Sequence, residues 1–142
     1  MKKFIGFISL IAATFVAIIL ASCQATYSAS SIKSSLEGSG YSINEGIDIV
    51  FDDDVQVSTL TGVQKIYVAT KGTGEDKEFS VIVVFDSISN LDAGITDLRL
   101  VDIGRNAERQ LGENKASTLT IGKFNNVAFG GTSACKEAAG LR

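Results

Sequence analysis

"EFSVIVVF", residues 78 to 85, decides the fold. It is rich in β-branched and aromatic residues, which suit a pleated, buried surface. Phe79, Val81, Val83 and Phe85 fall on one face, and Ile82 and Val84 on the other. Apolar residues on both faces mark a central strand, covered on both sides for part of its length. "VQKIYVAT" (63–70) is a second strand of the same kind. The polar, glycine-bearing "KGTGEDKE" between them makes the pair a hairpin with a long loop.

Working outward, Ser87 to Gly112 reads as the main helix, with Ser87 or Ser89 as cap and Asp92 near its positive end. Leu91, Ile95, Leu98, Asp102 and Arg105 fall near one side, with Ile88, Val101, Ala107 and Leu111 close by. Gly94 and Gly104 each weaken a helix by about 1 kcal/mol against Ala, and "DLRLVDI" also fits a strand. Upstream, "SASSIKSSLEGSGY" (28–41) reads as a short helix. Ser28 or Ser30 caps it, Ile32 and Leu36 share a face, and Gly38 or Gly40 ends it. Tyr41 to Val50 has strand composition, and "FDDDVQVSTLTG" (51–62) fits a turn or a strand. "STLTIGKFNNVAFGG" (117–131) reads as two short strands about Gly122 or Asn125-Asn126, and "TSACKEAAG" (132–140) as a last helix stopped by Gly140. This order predicts an α+β domain: a largely antiparallel sheet of about four to five strands with a long helix and two short helices packed on it.

The chain opens Met1-Lys2-Lys3, runs apolar from Phe4 to Ala21, and reaches Ser22 and Cys23. A positive start, an apolar run and small residues before a cut site make a secretory signal. The run is close to the ~20 residues of a spanning helix, so an uncleaved anchor competes. Leu20-Ala21-Ser22-Cys23 decides between them, because it resembles the bacterial lipobox. The resemblance implies that Cys23 takes a diacylglycerol through a thioether and is fixed to the membrane by acyl chains such as palmitate. It also implies cleavage between Ser22 and Cys23. Residues 1–22 are then a removed signal peptide, 23–27 a lipidated tether and 28–142 one small domain. The expected location is extracytoplasmic, anchored to the cell membrane, or to the outer membrane in a diderm. Gln24 is not the aspartate that resembles an inner-membrane retention signal. At ~3.4 Å per residue, five tether residues reach roughly 17 Å, so the domain is expected close to the bilayer. Beyond the lipobox, "LEGSGY", "IYVATKG…EFSVIVVF" and "NNVAFGGTSACKEA" resemble small surface lipoproteins of low-GC bacteria, a likeness that implies no activity.

Loss of Lys2 and Lys3 with the signal takes the formal net charge from −3 to −5 over the remaining 120 residues. Such an acidic chain with no basic run is a poor ligand for nucleic acid or anionic lipid. With Cys23 acylated, Cys135 has no intrachain partner. His, Trp and Pro are absent, and the missing His removes the usual general base and the commonest metal ligand.

Asp52-Asp53-Asp54 is the densest acidic cluster, but calcium takes about six to eight spaced oxygens. Three adjacent aspartates read better as a solvated turn, even with Asp48 added. Gly130-Gly131-Thr132-Ser133 joins a strand to a helix, where free N–H groups hold anions. It lacks the lysine of a phosphate loop, so an ordinary glycine turn is the simpler reading. Cys135 in the first turn of the last helix fits a thiolate or a small buried hydrophobe, and the latter is favoured. Glu108 with Arg105 or Arg109, and Asp97 with Arg99, read as a solvated helix face. These readings predict no catalytic residue, no metal and no cofactor. The expected function is a membrane-proximal binding or assembly module that meets another envelope protein. The alternative is a small-ligand or metal receptor associated with a transporter, and the third is a thiol-dependent enzyme.

Overall fold

The computed structural model describes residues 26–112 and 119–142. The predicted signal peptide, Ser22, Cys23 and the first two residues of the 117–131 hairpin lie outside them. Chain order is α1 (Ala29–Gly38), β1 (Ser42–Asn44), β2 (Val63–Lys71), β3 (Glu78–Phe85), α2 (Ile88–Gly94), α3 (Asp97–Leu111), β4 (Leu119–Phe124), β5 (Val127–Thr132) and α4 (Ser133–Ala138). The strands form one antiparallel sheet in the order β1-β2-β3-β5-β4. This is the α+β class that the sequence pattern predicts.

β3 is the central strand, and both of its faces are covered. Ile82 and Val84 pack with Tyr67, Ala69, Val127 and Phe129 beneath α1 and α4, which contribute Ile32, Leu36 and Cys135. Val81, Val83 and Phe85 pack on the other side with Leu91, Ile95 and Ile103, and with Phe51 and Val57 from the segment before β2. The domain is therefore three layers deep, and β3 and β5 at the middle of its sheet are covered on both faces.

α1 and α4 end alike. Gly40 and Gly140 take positive φ, and the next residues, Tyr41 and Leu141, donate back to the carbonyls of Leu36 and Lys136. These glycine stops turn the chain so that Tyr41 and Leu141 re-enter the core.

Three expectations are corrected. The 41–50 strand stops at Asn44. There Asn44 Oδ1 accepts from the Gly46 amide, and Asp48 accepts from the amides of Ile49 and Ser58 and the Ser58 hydroxyl. Side-chain acceptors thus replace a strand partner. The 87–112 helix is two helices, because Ile95 is extended and Thr96 Oγ1 accepts from the Arg99 amide, starting a new one. The described residues therefore hold one long and three short helices, not two short ones. The break also rotates the apolar stripe. Ile103 and Ala107 go inward, whereas Leu98 is 80 % exposed and Val101 43 %.

Tyr27, the last residue of the expected 23–27 tether, is bonded into the domain. Its amide donates to Asn126 Oδ1 at 2.7 Å, and its carbonyl accepts from Asn126 Nδ2 at 3.0 Å. Asn126 Nδ2 also reaches the Phe85 carbonyl at 2.7 Å, and the Arg142 amide donates to Tyr27 Oη at 3.1 Å. A buried amide side chain thus ties the entering chain to the end of the central strand.

Candidate functional site

Residues 49–57 form a miniature hairpin. The Phe51 amide donates to Val55 O, the Val57 amide donates to Ile49 O, and Val50 bridges Gln56. Phe51 and Val57 are buried, which leaves the three aspartates at the tip, where Asp54 has φ +65°. The tip lies against the first half of α3. Together they frame a cleft of about 330 Å³ lined by Asp52, Asp53, Thr96, Leu98, Arg99, Val101, Asp102 and Arg105.

The charges in this cleft answer one another. Arg99 Nε and Nη2 hold Asp53 Oδ2 at 3.1 and 3.0 Å, and Nη1 donates to the Gly94 carbonyl at 2.7 Å. Its guanidinium also lies 5.3 Å from the centre of the Phe51 ring. One arginine therefore closes the end of α2, the start of α3 and the aspartate turn on each other. Arg105 Nη1 bridges Asp52 at 3.1 Å and Asp102 at 3.5 Å, and buried Asp102 accepts from the Asp52 amide at 3.1 Å. The acidic cluster thus faces two arginines, which oppose a cation there. Among the described residues no group of three or more His, Cys, Asp or Glu is placed to hold a metal. Arg99 and Arg105 pair with the turn, and Arg105 also with Asp102, and not with Asp97 or Glu108, their expected helix neighbours.

The other candidates serve packing. Gly130 and Gly131 are buried inside β5. A Cβ on Gly130 would meet Ile103 Cγ2 at 2.9 Å and Gly104 Cα at 3.0 Å, and one on Gly131 would overlap Ser80. A Cβ on Gly104 would overlap Ile121. Gly104 and Gly130 bring α3 close onto the sheet, and Gly131 leaves room for Ser80 of β3. Thr132 is buried, and Ser133 Oγ lies 2.7 Å from Thr120 Oγ1. Cys135 is enclosed by the core, and burial pushes its thiol up to about 11. It is a protonated hydrophobe at neutral pH.

Elsewhere, Asp48 is held below the usual carboxylate range, first by the Ser58 hydroxyl. Burial raises Tyr41 and Tyr67 above the usual phenol value. A second, open groove of about 610 Å³ lies where the chain enters the fold, between Thr26, Lys33, Glu45, Gln64 and Lys65. Glu45 forms ion pairs with both lysines, at 3.4 Å to Lys33 and 3.8 Å to Lys65.

The cleft's Arg–Asp lattice and the Asn126 clamp lack a local signature, because their partners lie about 50 and up to 99 residues apart. Reading 87–112 as one continuous helix puts Leu98 on its apolar side and so hides the exposed Leu98–Val101 pair. Among the described residues no helix is long and apolar enough to cross a membrane. The chain matches no protein-family model, no curated protein and no solved structure.

Proposed function

We propose that this chain is an extracytoplasmic lipoprotein, held to the membrane by diacylglyceryl-Cys23 after removal of residues 1–22, and that it acts as a membrane-proximal binding or assembly module. The observation that carries this reading is the spacing of Cys23 from Tyr27. The lipobox-like cysteine stands four positions before a residue that Asn126 ties into the core. Fully extended, that gap spans only ~14 Å. Two acyl chains give stable anchoring where one is marginal.

A binding role, not a catalytic one, is supported by the outer face of α3. Leu98 and Val101 stay in water beside Arg105 and Asp52. An apolar centre with an arginine-containing polar rim has the anatomy of a protein interface. The cleft beside them favours a second reading, a small-ligand receptor. Enclosure of Cys135 leaves the thiol-dependent reading without support.

Two measurements test the proposal. Mass analysis of the chain purified from membranes is expected to give an N-terminal diacylglyceryl-cysteine and no residues 1–22. An unmodified Cys23 thiol in a retained leader refutes the anchor. Crosslinking in cells is expected to give one partner near stoichiometry, lost with Cys23→Ala. No partner for a correctly lipidated chain refutes the module and favours the receptor, which a ligand-dependent rise in Tm would then support.

A further inference from the structure

We propose that the Tyr27 clamp fixes which end of the domain faces the bilayer. The end carrying Gln64, Phe85 and Asn125 lies at the headgroups, and the end carrying the 72–77 turn points away. This inference rests on the lipid-anchored reading above.

The sheet register defines the two ends. Val63 pairs with Phe85, Val84 with Val127, and Val127 with Phe124, so the start of β2, the end of β3 and the β4–β5 turn share one pole. Lys71 pairs with Glu78 and Leu119 with Thr132, which places the 72–77 turn and the start of α4 at the other. Lys77 Nζ reaches the Gln110 carbonyl, so the end of α3 lies at this second pole too. Tyr27 sits at the first. Asn126 holds both its amide and its carbonyl while bonding Phe85 O, and Thr26 lines a groove with Gln64 and Lys65.

From this fixed point the chain has only the ~14 Å between Tyr27 and Cys23 to reach the lipid. β2 has nine residues, so its far end lies ~26 Å farther along the strand at ~3.3 Å per residue. The tether is shorter than the domain it holds, and the first pole cannot leave the headgroup region while Cys23 stays inserted. Nothing in the overall charge draws the other surfaces down. The chain without its leader carries a formal −5, and an acidic surface is repelled by anionic lipid. The orientation therefore comes from the clamp and the tether, not from adsorption.

The test uses the full lipidated chain in nanodiscs of phosphatidylcholine and phosphatidylglycerol, with a fraction of lipid carrying a gadolinium chelate on its headgroup. Amide NMR signals of Gln64 and Asn125 are expected to lose several-fold more intensity than those of Glu75 and Asp76. Raised salt, which screens surface attraction, should leave this gradient unchanged. A long Gly/Ser insert after Gln24 should flatten it without touching the fold. Equal broadening at both poles, or a gradient that survives the insert, overturns the inference. Mass analysis of the same sample separates the two ideas. A chain lacking the diacylglyceryl group overturns the anchor and the orientation with it, whereas a lipidated chain without a gradient overturns the orientation alone.

Discussion

Replacing Asn126 with Ala should destabilise the domain far more than its place in a two-residue turn suggests. The side chain is buried and makes three hydrogen bonds to backbone groups distant in sequence. Truncation leaves the Phe85 carbonyl without its amide donor, at a cost of about 1–2 kcal/mol for a buried acceptor. The half-buried amide and carbonyl of Tyr27 regain water, so each loses only ~0.5–1 kcal/mol. A total near 3 kcal/mol is a large part of the ~5–15 kcal/mol that holds a typical domain folded. Urea unfolding should show the midpoint falling with the slope unchanged, and hydrogen exchange should show the Tyr27 amide losing protection. Asn126→Asp adds a directional check. It keeps an acceptor for the Tyr27 amide but removes both donors and buries a carboxyl group. Burial raises that carboxyl's folded pKa above its unfolded value, so the variant should be most stable at low pH and lose stability as pH rises through that range. A loss below ~0.5 kcal/mol for Asn126→Ala, within the range of ordinary surface changes, would refute the clamp.

Gly104→Ala should destabilise by about 1–2 kcal/mol through overlap with Ile121, although helix propensity alone favours it by ~1 kcal/mol. In an Ile121→Ala background the sign should reverse, which thermal unfolding of the double-mutant cycle reads directly. Arg99→Lys should cost about 1–3 kcal/mol, nearly as much as Arg99→Leu, because a point charge cannot hold Asp53 and the Gly94 carbonyl together while stacking on Phe51. Stability should fall between about pH 9 and 11, because the Cys135 thiol ionises first in the unfolded chain. The Tyr41 and Tyr67 phenols, also raised by burial, act in the same direction at higher pH, and Cys135→Ala should reduce the fall. Leu98→Lys should change stability by less than ~0.5 kcal/mol yet abolish any specific crosslink made by the lipidated chain, separating a docking residue from a core one.

Much of the fold was legible because local patterns and tertiary structure agree along β2, β3, α1 and the β4–β5 hairpin. The two-faced apolar pattern of 79–85 placed β3 at the centre, since only a strand covered on both sides can hide it. The missing information lay where a side chain answers a distant backbone group. Nothing near Asp102 announces that its carboxylate will accept from the Asp52 amide, and nothing near Asn126 announces Tyr27. The 87–112 segment shows a second kind of miss. By propensity its glycines are only weak helix formers. Gly94 in fact ends a helix beside Leu60 and Phe85, while Gly104 sits mid-helix where a methyl group does not fit. Propensity treats the two alike, and packing separates them.

Packing also sorts the motifs that suggest chemistry. Gly130-Gly131 resembles an anion-binding turn only until the neighbours of its missing side chains are known, because Gly104, Ile103 and Ser80 already fill that space. The aspartate run resembles a cation site until Arg99 and Arg105 meet it. Cys135 resembles a nucleophile until the core closes over it. In each case the residue type is explained by what it touches inside the domain. Leu98 has no such explanation. Water surrounds most of it, and Ala would serve the exposed face of α3 better on helix propensity. That exposed apolar side chain supports the proposed docking contact, for which Arg105 and Asp52 beside it supply a polar rim. The residues that the fold does not need thus carry the binding reading, whereas those with the most familiar chemistry hold the domain together.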